Sequence, residues 1–129
     1  ASALGNSLIY DNGTNVAIGS TSPSAKLDVV GAILSRVNNA GSGTSIDWAT
    51  SNVAYTSASC GAFTFSNMQD GGSYTLVVKG ATAGTCSFTH SGLTVKLPTD
   101  HGANTAAKHT VYSFLRAGTD LYVTWIKGF

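Results

Sequence analysis

The sequence predicts an all-β protein in which a short N-terminal β segment (residues 1–34) precedes a β-sandwich or jelly-roll domain (residues 35–129). The composition favours strands and tight turns over helices, since the chain has 16 Ser, 16 Thr and 15 Gly but no Glu. Charged residues make up only 10% of the chain and hydrophobic residues 43%, which argues against disorder. Short alternating apolar stretches recur at roughly even spacing, and none has helical periodicity.

Three strands are predicted in the N-terminal segment, at residues 7–10, 15–19 and 26–30. The first two flank a turn over residues 11–14, in which Asn12-Gly13 accepts the positive φ angles of a tight hairpin. Ser22-Pro23 separates the second strand from the third. An isolated hairpin is marginally stable, and a region below about 40 residues needs disulfides, a metal or a partner to fold. Because this segment contains neither Cys nor His, we expect it to associate with further copies of itself.

A Gly/Ser/Asn-rich link at residues 38–43 leads into the second region, where short strands alternate with turns. The predicted strands are residues 45–57, 61–66, 73–80, 85–91, 93–97, 109–116 and 121–127. The last two form a hairpin around residues 117–120, and alternation places Leu121, Val123 and Trp125 on one face. Several short strands separated by turn signals predict a sandwich or jelly roll.

The stretch IYDNGTNVAIGSTSPSAKLDVVG, residues 9–31, closely resembles a collar motif of bacteriophage tail fibres and bacterial fibre proteins, with Ala17 and Ser20 in place of its usual Gly and Thr. The rest resembles the C-terminal domain of phage tail-fibre tips. The matching stretches are IDWATSNV (46–53), FTFSN (63–67), GGSYTLVVK (71–79) and YSFLRAGTDLYVTWIKGF (112–129). The combination is similar to the mosaic adhesive trimers that predatory bacteria place at fibre ends. The tips usually carry Trp-Pro where His90-Ser91 stands here, and two cysteines are not standard in them.

This resemblance implies a parallel homotrimer on an extracellular fibre, either a cell-surface appendage or a virion tail fibre. The N-terminal segment would then be a collar whose interior is shared by three chains, and burying apolar surface from three copies supplies a core that one copy lacks. The apolar residues expected in that shared core are Leu8, Ile9, Val16, Ile18, Leu27 and Val29. The alternative is a monomer whose first thirty residues lie as edge strands on the β domain. The chain begins with Ala1 and not Met, so we expect it to be a piece of a longer protein.

Cys60 and Cys86 are 26 positions apart, on or beside predicted strands. In an exported chain they would form a disulfide, and the alternative is two buried thiols that act as small apolar residues. Metal binding is not predicted, because Cys60 has no CxxC neighbour. The spacings of His90, His101 and His109 fit no metal motif either, although one His near a threefold axis would supply three ligands. No cofactor is expected.

The sequence gives little support to several functions. The net charge is +1 and the basic residues are scattered, so nucleic acid is not an expected partner. No apolar run is long enough for membrane insertion. The six carboxylates are all Asp and are far apart in the sequence, so the facing pair that a glycosidase needs is not evident. No GxSxG elbow is present.

A binding role fits better. Aromatic faces and polar loop groups on a rigid β scaffold are typical of sugar recognition, and the loop over residues 98–108 is polar and long for its neighbours. The candidate ligand-binding residues are Trp48, Tyr55, Asp100, His101 and Asn104, with core packing as the alternative for the aromatic ones. The expected function is a fibre-tip adhesin that binds a cell-surface glycan or other surface polymer of host or prey, through loops or clefts between subunits. The alternatives are a structural cap that ends the fibre and a glycan-cleaving tip.

Overall fold

The computed structural model describes residues 8–129, and the chain divides into two compact units, Ala1–Leu34 and Ser35–Phe129. Across the described range the protein consists of twelve β-strands in three sheets and has no helix. The predicted all-β class is confirmed. No helix that could cross a membrane is found in this range.

The first unit holds one three-stranded sheet. Its strands are β1 (Ile9–Asp11), β2 (Val16–Ile18) and β3 (Leu27–Val29). β1 pairs with β2 antiparallel and β2 pairs with β3 parallel. The three predicted strands are confirmed here in shorter form, although Ser7, at the start of the first prediction, lies outside the described residues.

The turn between β1 and β2 is wider than the predicted tight hairpin. Asn12 Oδ1 accepts hydrogen bonds from the backbone N–H groups of Thr14 and Asn15, at 3.0 and 2.8 Å. Gly13 has φ +82°, whereas Asn12 does not have positive φ. The turn therefore lacks the two positive φ angles that the predicted Asn-Gly hairpin requires, because the Asn12 side chain caps a four-residue loop instead.

The second unit holds a six-stranded and a three-stranded sheet. Its strands are β4 (Asn38–Asn39), β5 (Ser45–Asp47), β6 (Val53–Thr56), β7 (Ala62–Ser66), β8 (Ser73–Val78), β9 (Ser87–His90), β10 (Thr94–Lys96), β11 (Thr110–Ala117) and β12 (Asp120–Lys127). The strand order is β10-β12-β11-β8-β6-β4 in the larger sheet and β5-β7-β9 in the smaller one.

The chain passes back and forth between these two sheets, so that consecutive strands from β4 to β10 lie in alternate sheets. Strands two apart in sequence then pair parallel, as β4 with β6, β6 with β8, β5 with β7 and β7 with β9. This is the winding of a β-solenoid, in which each coil stacks on the one before. A jelly roll is built from antiparallel Greek-key strands, so the predicted jelly-roll connectivity is not what this unit shows.

The last two strands depart from the coil. The β11–β12 hairpin is antiparallel and is inserted between β8 and β10, pairing with β8 on one side and β10 on the other. Both of its strands have eight residues, which makes the hairpin the longest feature of the described chain.

Alternating residues of the two sheets meet in one hydrophobic core. Phe65 and Phe88 of the smaller sheet each lie 5.0 Å from the Phe114 ring of the larger sheet, edge to face, the geometry that aromatic rings prefer. The core consists of Ile46, Trp48, Ala54, Phe63, Phe65, Met68, Tyr74, Leu76, Val78, Cys86, Phe88, Tyr112, Phe114, Leu121 and Val123. Two layers of sheet therefore enclose one core, but the chain winds through them as the coils of a solenoid and not as the predicted jelly-roll sandwich.

Two sequence predictions need correction. Residues 45–57 do not form one strand, because β5 and β6 belong to different sheets and are joined by a turn in which Asp47 Oδ1 accepts the Ala49 N–H at 2.9 Å. The predicted link at residues 38–43 is part of the second unit. It contains the edge strand β4, and the Gly41 carbonyl accepts hydrogen bonds from the backbone N–H and hydroxyl of Ser57, at 2.7 and 3.0 Å.

Candidate functional site

The predicted ligand-binding residues lie in three separate places. Asp100, His101 and Asn104 belong to the loop between β10 and β11, here called the β10–β11 loop (residues 97–109). Trp48 follows β5, and Tyr55 lies in β6 of the larger sheet. The structure brings the three loop residues together and leaves the two aromatic ones apart from them.

The β10–β11 loop is held firmly against the rest of the second unit. The Asn104 N–H donates to the Gly84 carbonyl at 3.0 Å, and Asn104 Oδ1 accepts the Gly84 N–H at 2.8 Å. The Ala107 N–H donates to the Ala81 carbonyl at 2.8 Å. Asn104 is only 4% exposed, so it anchors the loop and does not present its amide to a ligand as the sequence predicts.

His101 closes the inner side of this loop over aromatic residues. Its ring lies 5.0 Å from the Trp125 ring in an edge-to-face arrangement, and its Nε2 is 3.4 Å from Tyr112 Oη. Burial lowers the pKa of His101, with a smaller opposing effect from the Asp100 charge. The imidazole is therefore neutral at neutral pH, which suits an acceptor of the Tyr112 hydroxyl.

A disulfide lies beneath the same residues. Cys60 and Cys86 are bonded, and Cys60 Sγ lies 3.7 Å from Tyr112 Oη. Burial raises the pKa of Tyr112 to about 12, so its hydroxyl stays protonated. The disulfide, Tyr112 and His101 form a continuous support under the loop.

The outer side of the loop is exposed and polar. The side chains of Asp100 and Thr105 face solvent, and Trp125 is partly exposed beside His101. Lys127 Nζ donates to the Ala103 carbonyl at 2.8 Å and lies 5.1 Å from the centre of the Trp125 ring. The result, called here the loop surface, combines a carboxylate, a hydroxyl, an ammonium group and an aromatic ring. It consists of Asp100, His101, Thr105, Trp125 and Lys127.

The two remaining predicted residues do not offer free aromatic platforms. Trp48 is 4% exposed and packs against Phe65 and Tyr74, at ring distances of 5.5 and 5.1 Å. Tyr55 lies on the larger sheet with Lys79 Nζ 3.9 Å from its ring centre. For Trp48 the structure thus shows core packing, the alternative given for the aromatic residues. The sequence leaves both possibilities open, because alternation cannot tell a core ring from an exposed one.

A depression that the sequence does not predict, which we call the Trp48 cleft, lies elsewhere in the second unit. It has a volume of about 540 Å³. Its lining includes Trp48, Asn52, Asn67, Gln69, Asp70 and Tyr74. The run from Asn67 to Gly72 reads as an ordinary turn between two strands, and only the fold shows that its amides and carboxylate surround one cleft.

The six residues expected in the collar core lie in the first unit with much of their apolar surface open. Leu8 and Leu27 are 75% and 60% exposed, Ile9 and Ile18 are exposed, and Val16 and Val29 are partly buried. Ala17, between them, is fully buried.

Among residues 8–129 no group of three or more His, Cys, Asp or Glu side chains is placed to hold a metal ion. No model of a known protein family, no curated protein and no solved structure gives a significant match to the chain.

Proposed function

We propose that the chain is the tip of a homotrimeric extracellular fibre that binds a glycan or similar polymer on a host or prey cell. The observation that carries this proposal is the loop surface, a fixed loop with exposed polar groups beside a partly exposed tryptophan. Sugars are recognised by such combinations, since aromatic rings contact their C–H groups and polar side chains fix their hydroxyls. A loop that is already ordered loses little conformational entropy on binding.

The exposed apolar side chains of the first unit support the self-association part of the proposal. Leu8 and Leu27 are more than half exposed. The sheet of this unit has three strands of three residues each, which enclose too little core to bury these side chains. Apolar patches of this kind mark contact sites between chains. A collar in which three copies share these residues removes them from water.

The outer face of the larger sheet offers a further apolar surface. Strand register places Ile126, Val111, Val77 and Tyr55 in one row across four strands. Ile126 is 64% exposed. In the proposed trimer this face of the tip domain packs against neighbouring copies. Three sites on one rigid tip then gain avidity from weak individual affinities.

The disulfide supports the proposed extracellular location, because disulfides persist in oxidising compartments and are rare in reducing ones. The Cys60–Cys86 bond joins two loops beside the loop surface. A fibre tip exposed outside the cell gains resistance to unfolding from such a bond.

Trimer formation is tested by sedimentation of the purified chain at micromolar concentration, where we expect a mass three times 13.1 kDa. Ile18→Asp places a charge among the exposed apolar residues and is expected to yield monomer. Thr14→Asp adds the same charge at an exposed position in the turn between β1 and β2 and should leave the trimer intact. A native chain that remains a well-folded monomer would refute the trimer.

Ligand recognition is tested on an array of bacterial surface polysaccharides and host glycans. Because Asn104 anchors the β10–β11 loop, deleting the loop would damage the fold, and a point change is sharper. Asp100→Ala removes an exposed carboxylate and should weaken binding by about tenfold or more, the usual effect of losing a hydrogen bond to a charged group. Asp120→Ala makes the same change at the far end of β12 and should bind normally. Absence of binding by the native protein would favour the structural cap, and equal binding by all three proteins would show that Asp100 is not part of the binding site.

A further inference from the structure

The Trp48 cleft lies far from the loop surface. Gly71 N–H donates to the Arg116 carbonyl at 3.0 Å and Gly118 N–H donates to Asp70 Oδ1 at 2.7 Å, which places the cleft beside the last residues of β11. The loop surface adjoins the first residues of that strand. Eight residues of strand at ~3.3 Å each separate the two by roughly 23 Å, so one small ligand cannot occupy both.

The rim of the cleft is preformed. Tyr74 Oη accepts the Gln69 N–H at 2.6 Å, and the Gln69 carbonyl accepts the Gly72 N–H at 3.0 Å. A Cβ atom on Gly72 would lie 2.4 Å from Tyr74 Oη, so only glycine fits there without displacing the tyrosine. These contacts hold residues 69–72 in place before any ligand arrives.

Asn67 contributes a strained backbone to the same rim. Its φ is +59°, in the left-handed region that non-glycine residues rarely adopt. Its Nδ2 donates to Asp47 Oδ1 at 2.7 Å, which fixes the side-chain amide. Strain of this kind is concentrated at binding sites, where the surrounding structure maintains a defined geometry.

Several polar groups of the cleft have hydrogen-bonding capacity left over. Trp48 lines the cleft, and its buried Nε1 has no hydrogen-bond partner within residues 8–129. The side-chain amide of Gln69 makes no described hydrogen bond, and Asp70 uses only Oδ1. The lining of the cleft thus carries an unpaired amide, an unpaired indole N–H and a carboxylate oxygen.

We propose that the Trp48 cleft is a second ligand site, specific for an uncharged, hydroxyl-rich ligand of the size of one or two sugar residues. A hydroxyl donates one hydrogen bond and accepts others, so neighbouring hydroxyls on a sugar match a carboxylate flanked by amide and indole N–H groups. The described lining includes Asp70 and has no Lys or Arg. The nearby Arg116 guanidinium already donates to the Met68 and Gly118 carbonyls, so the cleft favours neutral ligands over phosphates and other anions. A volume of about 540 Å³ falls within the range of small-ligand sites.

The experiment uses the intact ¹⁵N-labelled protein and titrates it with glucose, galactose, mannose, rhamnose and N-acetylglucosamine. Each sugar is taken to ~50 mM, which saturates a site of millimolar affinity. The chain has two tryptophans, so Trp125→Phe assigns their two indole N–H signals. We expect a saturable shift of the Trp48 indole signal with at least one sugar. The Trp125 signal reports on the loop surface in the same spectra.

Gln69→Ala should raise the apparent Kd of the sugar, read from the Trp48 indole signal, by about tenfold. Asp70→Asn should raise it by a similar factor, while its side-chain oxygen still accepts the Gly118 N–H. Ser91→Ala, which removes an exposed hydroxyl from the turn after β9, is the control and should leave the Trp48 titration unchanged. Unchanged spectra with all five sugars, or equal affinity in native protein and Gln69→Ala, would overturn the proposal. The loop surface is tested separately by Asp100→Ala, so the two proposals fail independently.

Discussion

Gly80 packs so closely on Ser59 that a Cβ atom at position 80 would lie 2.2 Å from both the backbone N and the Cα of Ser59. Gly80 is buried, and its N–H donates to the Ala58 carbonyl at 3.1 Å. Because the obstacle is backbone, it cannot rotate away. We expect Gly80→Ala to lower the free energy of unfolding by at least the ~1–3 kcal/mol typical of overpacking, measured by urea denaturation.

Gly102→Ala is the control for this change. A Cβ atom there meets nothing within 4 Å, and its φ is outside the left-handed region. The free energy of unfolding of Gly102→Ala should stay within about 0.5 kcal/mol of the native value. Similar losses in both variants would show that close packing at Gly80 is not the cause.

The disulfide is expected to contribute strongly to stability. It closes a loop of 26 residues, for which the loop-entropy relation gives about 3 to 4 kcal/mol. The double variant Cys60→Ala/Cys86→Ala should lose about that amount in urea denaturation. Cys86 is in the core and Cys60 is partly buried, so Cys60→Ala leaves a buried thiol, Cys86→Ala leaves a partly buried one, and the two single variants serve as comparisons for packing. A double variant as stable as the native chain would contradict the prediction.

Protonation of His101 should destabilise the β10–β11 loop. Burial lowers its folded-state pKa below the ordinary value of 6.5, so the unfolded chain binds the proton more readily. The neutral His101 therefore contributes to the free energy of unfolding. This contribution is complete above pH 6.5 and is lost as the pH falls from there through the folded-state pKa. His101→Gln should remove that part of the pH dependence. Unfolding measured from pH 8 to pH 4.5 in both proteins tests it, and parallel curves would show that His101 is not responsible.

The low pKa of Asp47 should depend on Asn67. The largest cause of that lowered pKa is the hydrogen bond from the Asn67 amide, followed by the Ala49 N–H. Asn67→Gly removes the amide while accepting the positive φ at this position, so the electrostatic effect is separated from backbone strain. The Asp47 pKa should then rise toward 3.8, as followed by carboxyl ¹³C shifts. An unchanged titration would assign the effect to the remaining donors, the Ala49 N–H and the Ser66 hydroxyl.

The strand positions were accessible from sequence, whereas the winding was not. Alternation identifies which residues share a face, as it does for Tyr74, Leu76 and Val78, all of which are in the core. It does not identify a strand's partner or the direction of that partner. The sequence also does not predict the division of residues 45–57 into β5 and β6. The turn between these strands contains Trp48 and Ala49 and has no glycine or proline to mark it.

In the candidate sites, too, the sequence predicts some features and the fold alone shows others. The sequence located the β10–β11 loop correctly as a polar segment between strands, but it could not separate exposed Asp100 from buried Asn104. Both are small polar residues suited to loops, and only the position of Gly84 decides that Asn104 is an anchor. The Trp48 cleft arises from residues far apart in sequence, Asn52 and Asp70 among them. No local pattern records that proximity.

The insertion of the β11–β12 hairpin between β8 and β10 has a consequence for biosynthesis. The coils from β4 to β9 pair with strands translated shortly before them, so each can close as it leaves the ribosome. β10 emerges earlier than β12, its neighbour in the sheet, and its edge stays without a partner until translation has passed Tyr122, the last residue of β12 that pairs with it. A nascent chain halted after Lys108 therefore lacks both β12, the partner of β10, and β11, the second neighbour of β8.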